Sequence, residues 1–169
     1  KREEAKSTPP IRSNSKTVMS MADLEKMEFD LLEFTGRWKE FIGEPQRNFY
    51  AICYGKPKNG KSYMSLQFAK YMSRFGPVLY NAAEEGFAPT LRKKLQEVGI
   101  TANSRVFVSP ARSLKDLAKD IDSHQPLSAV FVDSVSIHTN DNTEFDEFRR
   151  RWPNTAFICV MHATKNGDF

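Results

Sequence analysis

Residues 55 to 62 read Gly-Lys-Pro-Lys-Asn-Gly-Lys-Ser, two glycines followed by an amine and a hydroxyl. This order satisfies G-x-x-x-x-G-K-[ST], a pattern whose chemistry is the cradling of phosphate oxygens. Gly55 and Gly60 permit backbone conformations that turn successive loop N–H groups inward, with Lys56, Pro57, Lys58 and Asn59 forming the arc between them. Lys61 is long enough to reach β- and γ-phosphates, and the Ser62 hydroxyl can ligate Mg²⁺. A helix starting near Lys61 adds the positive end of its dipole. The expected ligand is a nucleoside triphosphate, MgATP first among them, in a cradle running from Gly55 through Ser62 to Tyr63.

A metal held by Ser62 needs a carboxylate nearby. Asp133 closes the apolar run Ala129-Val130-Phe131-Val132 and is the candidate metal ligand. Its structural alternative is a strand-end aspartate that caps the following loop. Glu84 and Glu85 follow another apolar run, Val78-Leu79-Tyr80-Asn81-Ala82-Ala83. A carboxylate there can orient and polarise an attacking water. Both could equally be solvated loop acids, or favourable negative charge before a helix at Pro89.

The elements that must carry these residues alternate in type. Phe49–Tyr54, Val78–Asn81, Arg105–Val108, Ala129–Val132 and Ala156–Val160 read as short strands. Lys61–Phe75, Pro89–Val98, a segment from Ser113 to about His124, and Asn142–Trp152 read as helices. Pro89 stands at a first turn, Gly99 past an end, and Ser113 at an N-cap. Continuously apolar strands separated by helices predict an α/β fold, a parallel sheet sandwiched by helices. Residues 21–47 carry scattered large apolar groups (Leu31, Leu32, Phe34, Trp38, Phe41, Ile42) and read as a lead-in packing on a core that spans 48–169.

At 169 residues with 40% hydrophobic and 27% charged, the chain suits one globular domain. No run approaches the roughly 20 apolar residues of a membrane helix. Cys53 and Cys159 each lie in a strand-like run and read as buried apolar groups in a reducing, cytoplasmic setting. The formal net charge of +4 sits mostly in residues 1–20, where Lys1, Arg2, Lys6, Arg12 and Lys16 outnumber Glu3 and Glu4. That segment reads as a disordered basic tail. Arg149, Arg150 and Arg151 read as a solvated helix face shared with Asp146 and Glu147.

Together, GKPKNGKS (55–62), VLYNAAEEG (78–86), AVFVDSVS (129–136) and FICVMHATKNG (157–167) resemble the RecA-type P-loop ATPase core, nearest its RadA and DnaB-helicase branch. The resemblance implies the sheet order 3-2-4-5-1, with the last strand between the Asp133 strand and the phosphate-loop strand. It also implies Glu84 as the catalytic glutamate, with Glu85 as the fallback. His162 falls where the family places a polar sensor of the γ-phosphate, and Lys165 matches the lysine of its H-x-T-K segment. ATP hydrolysis, homo-oligomers and single-stranded or duplex DNA in recombination, repair or replication follow as expectations.

The family's core continues past the sensor strand, so the chain reads as truncated after its fifth strand. No arginine finger is assignable from the residues, and 135–142 lacks the basic, aromatic character of a strand-tracking loop. Two alternatives remain beside the ATPase: a nucleotide-dependent assembly module without hydrolysis, and a P-loop small-molecule kinase.

Overall fold

The structure, a computed structural model, describes residues 18–162. The basic tail up to residue 17, and Lys165 with its neighbours, lie outside the described residues.

Five strands form one parallel sheet: β1 (Tyr50–Gly55), β2 (Val78–Ala82), β3 (Val106–Ser109), β4 (Ala129–Asp133) and β5 (Ala156–His162). Their order is β1-β5-β4-β2-β3, the expected 3-2-4-5-1 read from the other edge. β5 thus lies between β1 and β4, pairing Gly55 with His162 and Asp133 with Val160. Parallel neighbours bring the carboxyl ends of all five strands to one edge.

The apolar runs are continuous because both faces are covered. Val78, Tyr80 and Phe131 point to one core with Leu66, Phe68, Ala69 and Met72 of α3 (Lys61–Met72). Leu91 of α4 (Pro89–Glu97) joins them. Leu79, Val130, Val132 and Cys159 point to the other, with Leu117 and Ile121 of α5 (Leu114–Ser123). Phe145 and Phe148 of α6 (Asn142–Arg149) complete that side. Period-two alternation therefore sorts one apolar strand into two cores.

Residues 18–49 carry two short helices, α1 (Met21–Leu24) and α2 (Arg37–Ile42). Leu32, Phe34 and Trp38 are buried in the α3-side core. Trp38 stacks on Phe68 with ring centroids 4.4 Å apart. Leu31 and Phe41, expected to join them, are exposed instead. They alternate with buried neighbours, so apolar type alone did not reveal which side faced inward.

Three other expectations shift. α3 stops at Met72, and Ser73, Arg74 and Phe75 turn before Gly76 rather than extending the helix. α6 ends at Arg149, because Trp152 precedes Pro153 and a residue before proline is disfavoured in helix. Trp152 is still buried, its indole N–H donating to Asp122 at 2.9 Å. Cys159 is buried as expected, its thiol pushed up to about 12 by burial. Cys53 is only half-buried, because β1 is an edge strand of this sheet.

Candidate nucleotide site

The loop from Gly55 to Gly60 joins the end of β1 to the start of α3. Gly60 is the N-cap of α3, with φ 78° and ψ 9°. A Cβ there would meet nothing within 4 Å, so the demand for glycine comes from the left-handed backbone and not from crowding. Lys58 also has positive φ, 66°. Lys61 is buried at 7% exposure, and its Nζ donates to the Gly55 and Lys56 carbonyls at 2.7 Å each. Pro57, Lys58 and Asn59 lie exposed on the arc, and Ser62 is half-buried at the first turn of α3. Tyr63 points elsewhere: its hydroxyl donates to Glu97 at the end of α4.

Asp133 ends β4 at 8% exposure. The Tyr80 hydroxyl donates to its Oδ2 at 2.9 Å, and Ser65 Oγ lies 2.9 Å from the same Tyr80 oxygen. Ser65 in turn donates to the Ser62 carbonyl at 3.0 Å. Burial pushes the Tyr80 hydroxyl well above the ordinary tyrosine range, so it remains a donor. Asp133 Oδ1 is buried and has no hydrogen-bond partner. An ionised carboxylate oxygen in that state calls for a cation.

The two glutamates diverge. Glu84 Oε1 accepts from Ser134 Oγ at 3.1 Å and lies 2.9 Å from His162 Nε2. Glu85 turns away and pairs with Lys94 of α4 at 2.8 Å. Burial works against ionising Glu85, yet the Lys94 and Thr90 contacts hold its carboxyl below the ordinary value. Glu84 is the one that remains at the strand ends.

Glu84, Asp133 and His162 each offer one ligand atom, all within 4.8 Å of one another. A cavity of about 40 Å³ opens between Ser62, Tyr80, Glu84 and Asp133. The donor set, two carboxylates with a hydroxyl close by, suits Mg²⁺. Ser62, Lys61, Asp133, Glu84 and His162 come from four separate stretches of chain. They meet because β1, β5, β4 and β2 end at the same edge.

Sequence reasoning did not single out Tyr80, Ser65, Ser134 or Lys94. Each acts through a contact between distant segments, and no local pattern marks it. Arg149 also departs from the solvated face expected of it: it is half-buried, pairs with Asp146 and lies 4.5 Å over the Tyr50 ring. Arg150 and Arg151 are exposed and pair with Asp146 and Asp122.

No protein-family model matches this sequence, and no curated protein is matched by it. Among solved structures, the chain is similar to the ATPase domain of a DnaB-like helicase, with a TM-score of 0.53 at 15% identity. The match covers 71% of this chain and 59% of that one. With the all-parallel 3-2-4-5-1 sheet and the loop after β1, the fold is that of a RecA-like P-loop core. No helix among the described residues is long and apolar enough to cross a membrane.

Proposed function

We propose that this chain binds MgATP and hydrolyses it, as a RecA-type ATPase that works on DNA in recombination, repair or replication. The observation that carries the reading is the meeting of Glu84, Asp133 and His162 within 4.8 Å, beside the loop that ends at Lys61 and Ser62. The loop N–H groups and the start of α3 bind the phosphates, and Lys61 exchanges its two carbonyl partners for phosphate oxygens. Mg²⁺ supplies neutralisation of charge on the triphosphate, held by Ser62 and, directly or through water, by Asp133. Glu84 orients and polarises the attacking water. His162, bonded to the same carboxylate oxygen, senses the γ-phosphate through Glu84. Glu85 takes no part, being held by Lys94.

The likeness to the helicase ATPase domain supports the fold beneath this reading. ATP turnover and binding of a fluorescent ATP analogue, measured on the wild type and on Glu84→Gln, test it. Loss of turnover by at least about 100-fold with retained binding is expected. Unchanged turnover in Glu84→Gln sinks Glu84 as the base, and binding without turnover in the wild type leaves an assembly module.

A further inference from the structure

At the opposite end of the sheet from the phosphate loop lies a second recess, and its charge is one-sided. α3 runs away from the loop for 12 residues, about 18 Å. Its C-terminal end meets α2 and the segment that leads into β3. An open cleft of about 500 Å³ lies between these three. Arg37, Lys70, Arg74 and Arg105 line it, and no aspartate or glutamate does. Among the described residues none of the four forms an ion pair, although nine such pairs occur elsewhere.

Their partners are neutral. Arg37 donates to Gln67 at 3.0 Å, Arg74 to Thr35 Oγ1 at 3.4 Å, and Lys70 to the Val98 carbonyl at 3.0 Å. Arg105 donates to the Ser73 carbonyl at 2.8 Å, at the end of α3. Two guanidiniums are also steadied by rings, Arg37 over Trp38 at 5.0 Å and Arg74 over Tyr71 at 5.2 Å. A stacked guanidinium keeps N–H groups free at its edge, and its plane is set before any ligand arrives. Four uncompensated cations from three chain segments repel one another, and an anion removes that repulsion.

We infer that this cleft binds the phosphodiester backbone of single-stranded DNA. The rest of the lining decides between a nucleic acid and an acidic protein. Gln67, Ser73, Asn103 and Ser104 add amides and hydroxyls, the side chains that join Arg and Lys in contacting phosphate and sugar. A protein partner needs an exposed apolar anchor, and Trp38, the largest apolar group present, is already buried at 7% exposure. A cleft of this size admits one strand and excludes a duplex. The inference rests on DNA as the partner proposed above, and places it away from the nucleotide.

Fluorescence anisotropy of a labelled 30-nucleotide oligo(dT), titrated across salt on the full chain, tests it. Arg37→Ala/Arg74→Ala is expected to lose about tenfold in affinity and to flatten the salt dependence by about 1.4, since each phosphate contact contributes about 0.7. Arg37→Lys/Arg74→Lys keeps the charge and retains most of the binding, which separates lost charge from lost fold; thermal melts check the latter. Residues 1–17 are common to all variants. If the wild type binds the oligonucleotide and the alanine variant binds it as tightly with the same salt slope, the cleft is overturned while DNA stands as partner. If the wild type binds none, DNA fails as partner and the cleft with it. If a poly-glutamate peptide binds in its place, the site belongs to an acidic protein.

Discussion

The Tyr80 hydroxyl donates to Asp133 Oδ2 at 2.9 Å, joining adjacent strands β2 and β4 just below the nucleotide site. It leaves Oδ1 as the oxygen that faces outward to a cation. Tyr80→Phe keeps the ring stacked on Phe131 but removes the donor. A hydrogen bond to a buried charge contributes about 1.5–3 kcal/mol, and a loss of that size is expected in urea unfolding at neutral pH. Added Mg²⁺ with nucleotide should recover part of it.

Lys61 is buried with only two carbonyls as partners, so its ammonium is held ready for a stronger acceptor. Lys61→Met preserves the stem and removes the charge. Affinity for an ATP analogue is expected to fall about 10- to 100-fold, the value of a charge-assisted contact, with the melting temperature in the absence of nucleotide little changed. Isothermal titration on both proteins reads the difference.

His138, in the single 3-10 turn after β4, brings Nε2 to 2.7 Å from Asn81 Oδ1. Burial lowers its pKa, with the neighbouring Arg112 charge acting in the same direction. A base with a depressed folded value takes up its proton more readily when unfolded. The stability it contributes is therefore complete above the unfolded value, about 6.5, and is lost as pH falls from there through the folded value. Unfolding free energy measured from pH 7.5 to 5 should decline, and His138→Gln should flatten that decline.

Trp38 ties the lead-in to the core by stacking on Phe68. Trp38→Ala is expected to cost about 3–5 kcal/mol in chemical denaturation, in the range of large-to-small substitutions in cores. A smaller loss, below about 1 kcal/mol, would mean that residues 18–49 are an appendage and not part of the folding unit.

The architecture was legible because burial on both faces leaves a plain mark. Val130 and Phe131 face opposite cores, so the run shows no polar residue until Asp133. The phosphate loop was legible because its chemistry needs fixed residue types at fixed spacing. Glu84 and Glu85 were not separable by residue type, since consecutive acids after a strand look alike. What separates them is Lys94, nine residues on, whose turn of α4 faces Glu85 and not Glu84. Tyr80 was hidden for a related reason: its partner Asp133 is 53 residues away, and only strand order brings them together. The missing salt bridges around Arg74 and Arg105 are likewise a property of the fold and leave no trace in a sequence.

Gly55 and His162 are register partners across β1 and β5. The first glycine of the loop and the side chain beside Glu84 thus hang on the same rung of the backbone ladder. A ladder bond tolerates only a few tenths of an ångström before it breaks, so neither end can travel alone. The pair behaves as a rocker without a bearing: force applied at the loop arrives at the end of β5 undiminished, and the play lies in the side chains.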